Sequence, residues 1–136
     1  MPSASTNFQS ESTASGDEFE KIVIDDLVSK GYTILETNAK IPDIGINVDY
    51  IAERNGVKEY GEDKGGKSGG KKRPGAQRTD NVKKAICNGA LLKSKYPDSK
   101  YVIYFSAKPK EGNSSDEMIK TAMEAGFVDE VRYLSY

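Results

Sequence analysis

Apolar residues first recur at helical spacing over 16–30, where Phe19, Ile22, Val23 and Leu27 fall on one face. Asp17 and Glu18 suit the positive end of such a helix, and Gly31 is placed to stop it. Residues 32–37 alternate as a strand, and 38–45, with Pro42, read as a loop. Alternation resumes over 48–64 on both sides of Asn55-Gly56, a pair that favours the two positive φ angles of a type I′ turn and so predicts a hairpin. A second helix is expected over 80–95, capped by Thr79 or Asp80. Its buried stripe is Val82, Ala85, Ile86, Gly89 and Leu92, with Cys87 packing as a small hydrophobe. The unbroken apolar run Tyr101-Val102-Ile103-Tyr104-Phe105 reads as a central strand covered on both faces. A loop over 108–113, a third helix over 116–125 ended by Gly126, and an edge strand over 127–134 complete the chain. Residues 1–15 are Ser/Thr-rich and lack any such pattern; a disordered polar tail is expected there, ahead of a single domain over 16–136.

The hairpin carries the chemistry. With Asn55 and Gly56 as the turn, Arg54 faces Val57, Glu53 faces Lys58, Ala52 faces Glu59, Ile51 faces Tyr60 and Tyr50 faces Gly61. One step further, Asp49 faces Glu62, and Lys64 shares the face of Glu62. Like charges directly opposite destabilise a sheet, so two acids here ask for a cation. Mg²⁺, with Mn²⁺ as its substitute, takes oxygen ligands from one or two carboxylates. Asp49 and Glu62 supply these, the Asp63 backbone carbonyl is a third candidate ligand, and Lys64 stands beside an attacked phosphate. The competing reading is an amphipathic hairpin whose charged face is only solvated.

Asp49 followed by Glu62-Asp63-Lys64 resembles the D…(D/E)xK signature of the PD-(D/E)XK nuclease superfamily, whose members share the restriction-endonuclease-like fold. The resemblance implies an α/β (α+β) fold with an αβββαβ core, a mixed central sheet flanked by helices, here followed by a C-terminal helix and strand. It also implies a metal-dependent DNA endonuclease hydrolysing phosphodiester bonds, and a first helix whose Glu20 adds a further acid to the site. Glu20 borders the apolar face of its helix; its alternative role is an ordinary solvated glutamate. Two departures stand out. Asp63 occupies a position that is usually apolar and directs a charge towards the opposite, normally buried face. Pro42-Asp43 also precedes Asp49, so Asp43 competes for the role of first acid, although hairpin geometry favours Asp49.

Composition narrows the chemistry. The chain has 136 residues, no histidine and one cysteine. That excludes an internal disulfide, zinc clusters, His–metal nucleases and Ser–His or Cys–His hydrolases. The net charge of −1 hides an uneven spread: residues 64–84 hold eight basic residues against one acid, and the remainder twelve against twenty. Within 65–78 the chain is a glycine-rich basic loop. Lys67, Lys71, Lys72, Arg73, Gln77 and Arg78, with Lys83 and Lys84 on the next helix, form the expected nucleic-acid-binding set, since cations on phosphates dominate such affinity. Gln77 weakly resembles a glutamine that assists the site in exonuclease-like relatives. Residues 61–68 also match GxxxxGK[ST] letter for letter. That motif has to open a helix, whereas Gly69-Gly70 and Pro74-Gly75 follow, which disfavours nucleotide binding.

The expectation is therefore a soluble, cytoplasmic protein of a prokaryotic or phage-infected cell, with DNA as partner, no membrane span, and a symmetric homodimer to cut both strands. The alternative is a non-catalytic nucleic-acid-binding module on the same fold.

Overall fold

The structure, a computed structural model, describes residues 7–66 and 74–136, with side chains from Glu18 onward. Its elements are α1 (Asn7–Ser29), β1 (Thr33–Ile41), β2 (Ile46–Arg54), β3 (Val57–Lys64), a short 3-10 turn (Gly75–Gln77), α2 (Thr79–Lys95), β4 (Lys100–Phe105), α3 (Ser114–Glu124) and β5 (Glu130–Tyr133). The αβββαβ order implied by the resemblance is present, followed by α3 and β5. The five strands form one mixed sheet in the order β1-β2-β3-β4-β5. The first three are antiparallel, and β4 and β5 run parallel to β3.

Alternation along β4 sorts the core into two layers. Val102 and Tyr104 meet α1 through Phe19, Val23 and Leu27, together with Tyr50 and Ala52 of β2. Tyr101, Ile103 and Phe105 point the other way, onto Val82, Ala85 and Leu92 of α2 and Ile119 and Ala122 of α3. Helix α2 lies close on the sheet because residue 89 is glycine. A Cβ there would stand 2.7 Å from the Tyr101 ring and 2.5 Å from the Phe127 carbonyl oxygen. The Tyr101 hydroxyl also donates to the Ala85 carbonyl at 2.5 Å.

Several boundaries differ from the sequence reading. Helix α1 begins at Asn7 rather than Gly16. No proline or glycine interrupts residues 7–15, and a helix nucleated by its packed half extends at little cost. Strand β1 runs through 38–41 and β2 begins at Ile46, so the expected loop shrinks to a turn. Pairing of Ile41 with Ile46 and burial of Ala39, Ile41, Ile46 and Val48 outweigh Pro42, which takes only the turn. Helix α2 is preceded by Arg78, with no side-chain cap from Thr79 or Asp80, because the helix itself begins at Thr79. Cys87 is exposed, not packed: it lies off the stripe formed by Val82, Ala85, Gly89 and Leu92. Helix α3 starts earlier than 116, at Ser114, where the Asn113 side chain accepts from the Asp116 N–H. Strand β5 is shorter than 127–134 but does occupy a sheet edge.

Beneath α1 the sheet buries a polar network. Glu59, fully buried, accepts two hydrogen bonds from Arg132 at 2.9 and 3.0 Å and one from the Tyr50 hydroxyl at 2.5 Å. Lys100 lies 3.2 Å from the same carboxylate. Arg132 also donates to the Tyr104 hydroxyl, which in turn donates to Asp26 of α1. Burial opposes the Glu59 charge, yet its bonds to Tyr50 and Arg132 prevail and hold it below the usual carboxylate range. Among the described residues no helix is long and apolar enough to cross a membrane.

Candidate active site

The hairpin forms in the expected register. Asn55 and Gly56 take φ of 54° and 79°, and the five pairs from Arg54–Val57 to Tyr50–Gly61 are all present. The paired ladder stops there, one step short of Asp49 and Glu62. At that point the Asp49 carboxylate accepts the Asp63 N–H at 2.8 Å, so a side chain takes a donor the ladder leaves. Tyr50 locks the same spot from the other face: its ring crosses Gly61 to reach Glu59, where a Cβ on residue 61 would stand 2.0 Å from it.

Glu62 is 3 % exposed. Its carboxyl lies between that of Asp49, within hydrogen-bonding reach, and the Asn88 amide, whose Nδ2 donates to Oε1 at 2.7 Å. Burial, then the hydrogen bond and charge of Asp49, push its pKa up to about 9, against the smaller opposing pull of Asn88 and Lys64. Without a cation, Glu62 therefore keeps its proton at neutral pH. Asp63 alternates to the α1 side, as its parity requires. There burial, then the charges of Asp49 and Glu20, raise its pKa to about 8, with Lys64 opposing. The fold thus gathers Glu20, Asp49, Glu62, Asp63 and Lys64 around the carboxyl end of β3.

Among the described residues no three acid or thiol side chains converge as a ready-made metal cage. The available donors are the hard carboxylate oxygens of Asp49 and Glu62, and the raised proton affinity of Glu62 marks a place short of positive charge. Asp43 lies elsewhere, in the β1–β2 turn, exposed and 3.7 Å from Lys95. The cavity of about 600 Å³ between α2 and α3, lined by Lys83, Ile86, Cys87, Met118 and Phe127 among others, does not include the carboxylates.

The basic set is only partly visible. Lys67, Lys71, Lys72 and Arg73 lie outside the described residues. Lys83 and Lys84 are exposed on the first turns of α2, and Arg78 is engaged with Asp80 at 3.2 Å. Gln77 is exposed on the 3-10 turn; the amide that reaches Glu62 is that of Asn88. Sequence reasoning missed Asn88, although a polar residue three after Ala85 and four before Leu92 borders the buried stripe and was the available signal.

No family model matches the chain, and no curated protein sequence matches it. Among solved structures, it is similar to Pyrococcus furiosus SfsA in complex with Ca²⁺, with a TM-score of 0.53 and 22 % identity. The match covers 90 % of this chain and 55 % of that one, so the chain spans little more than half of its neighbour's length. That likeness concerns the fold: a five-stranded mixed sheet between helices.

Proposed function

We propose that this protein is a divalent-cation-dependent DNA endonuclease. The observation that carries the reading is the Asp49–Glu62 carboxyl pair, Glu62 buried and Asp49 half-buried, with Lys64 two residues beyond Glu62. The P. furiosus SfsA neighbour was solved with Ca²⁺, a hard cation that takes oxygen ligands as Mg²⁺ and Mn²⁺ do. In this reading Asp49 and Glu62 hold the ion, the Asp63 carbonyl is available beside them, and Glu20 adds negative charge from α1. A bound divalent cation supplies a Lewis acid for phosphate oxygen and water. Lys64 offsets the charge that builds on the phosphate as water attacks phosphorus and the ester P–O bond breaks. Glu62 would hold the ion as the carboxylate, without the proton it keeps in the ion's absence. The basic segment, from Lys67 to Lys84, grips the DNA backbone without reading its sequence. Two strands call for two sites, hence a symmetric dimer.

One observation favours a second reading, a non-catalytic nucleic-acid-binding module: among the described residues no third acid side chain completes a metal cage. Supercoiled, linear, single-stranded and branched DNA incubated with Mg²⁺, Mn²⁺ or EDTA separates the two. Nicking with either metal, none with EDTA, and none for folded Asp49→Ala, Glu62→Ala or Lys64→Ala is the expected result. DNA retained on a gel but never cut would establish the module instead. Activity lost in Asp43→Ala and kept in Asp49→Ala would move the first acid.

A further inference from the structure

We infer that Asn88 is a positioning residue for the carboxylate pair: its amide holds Glu62 in the orientation that, with Asp49, receives a divalent cation. The inference rests on the cation-dependent reading above.

Three observations carry it. The Asn88 Nδ2 donates to Glu62 Oε1 at 2.7 Å, and Glu62 is buried, so bulk water does not hold that carboxyl in place. Asn88 and Asp49 contact the Glu62 carboxyl together, one from α2 and one from β2. The stretch of helix that carries the amide is itself fixed. There Gly89 brings α2 against the Tyr101 ring, and the Tyr101 hydroxyl fastens the Ala85 carbonyl one turn earlier. Position 88 therefore has little freedom to move relative to β3 and β4.

The choice of an amide has a chemical logic. An apolar residue at 88 would leave a buried carboxylate oxygen unpaired. A lysine or arginine would pair it more strongly, but as a built-in counter-ion it would compete with the metal. Asparagine donates without adding charge, so Glu62 is oriented and the pair keeps its demand for a cation. Outer groups of this kind orient metal ligands, and their loss weakens metal affinity by about 10–100-fold.

The test uses the whole chain and two readouts: the melting midpoint without metal, and calorimetric titration with Ca²⁺ and with Mg²⁺. Asn88→Ala should bind either cation about 10–100-fold more weakly, and melt somewhat lower without metal because the Glu62 oxygen it leaves is buried. Asn88→Gln, which keeps an amide donor, should recover part of the loss. Asn88→Lys should melt higher without metal and lose the cation response. In a Glu62→Gln background, Asn88→Ala should change cation binding no further. In cleavage, Asn88→Ala should raise the metal concentration needed for half-maximal rate more than it lowers the rate at saturating metal. Unchanged cation affinity in Asn88→Ala, or an equal loss with and without the Glu62 carboxylate, overturns the inference and leaves the endonuclease reading standing. A wild-type protein that binds neither cation overturns both.

Discussion

Gly61→Ala is the substitution whose cost the geometry specifies best. Its new Cβ would sit 2.0 Å from the Tyr50 ring, which then has to move. A terminal ring often swings aside cheaply, but Tyr50 is 1 % exposed and its hydroxyl is bound to the buried Glu59 carboxylate at 2.5 Å. Overpacking a filled core costs roughly 1–3 kcal/mol. Losing a hydrogen bond to a buried charge costs roughly 1.5–3 kcal/mol. Together these give about 2.5–6 kcal/mol, a large part of the roughly 5–15 kcal/mol that holds a domain folded. Urea unfolding followed by circular dichroism measures it. The decisive comparison is a double-mutant cycle with Tyr50→Ala. That change should itself cost about 3–5 kcal/mol by leaving a cavity. With the ring gone, however, Gly61→Ala meets open space and should be neutral or slightly stabilising. The coupling between the two should then exceed about 2 kcal/mol. If Gly61→Ala costs the same in both backgrounds to within about 0.5 kcal/mol, the ring crossing is not the reason glycine stands at 61.

Two further predictions follow from charge. Glu62 and Asp63, raised to about 9 and about 8, keep protons that the unfolded chain gives up from about pH 4. Their contribution to metal-free stability is therefore complete below about pH 4 and is lost as pH rises towards 8–9. The lowered carboxylates Glu59, Asp26 and Glu130 act with the opposite sign and lose their contribution on the acid side. Metal-free stability should thus peak in mild acid and fall from pH 5 to 9, with Ca²⁺ or a Glu62→Gln change flattening the fall; urea midpoints that rise over that range would refute this. For the basic segment, replacing Lys71, Lys72 and Arg73 with alanine should flatten the slope of log K for DNA against log salt by about 2–3 units. The melting midpoint should hardly change, and an unaltered slope would place the DNA on another surface.

Legibility in the sequence followed the range of the interactions. Asn55-Gly56 and the alternation beside it set the register of β2 on β3, because turn and pleat act within a few residues. The same parity put Asp49 and Glu62 together and sent Asp63 towards α1, where burial, then Asp49 and Glu20, raise its pKa. The β4 run and the α2 stripe were equally plain. What stayed hidden depended on neighbours distant in sequence. Glu59 looked like an ordinary hairpin position opposite Ala52; only the β3-β4-β5 order brings it to Arg132, 73 residues away. Asn88 reaches Glu62 only because Gly89 lets α2 settle so closely. In β1, Pro42 masked the pairing of Ile41 with Ile46, since a local breaker says nothing about which partner waits beyond the turn.

The Glu59–Arg132 pair also bears on the order of assembly. On a growing chain the hairpin emerges long before Arg132, and Glu59 has at first only water and the Tyr50 hydroxyl of its own hairpin to solvate its charge. Lys100 later offers one cation, but the two-pronged grip comes from β5 alone. A truncated or still-tethered chain that buried this carboxylate would trap a charge with too little compensation, so the sheet has reason to stay open until the last strand arrives. Tyr50, adjacent to Asp49, is bonded to the same carboxylate that Arg132 of β5 grips. The Asp49–Glu62 pair, beside Tyr50 on the hairpin, therefore shares its support with the last strand of the sheet.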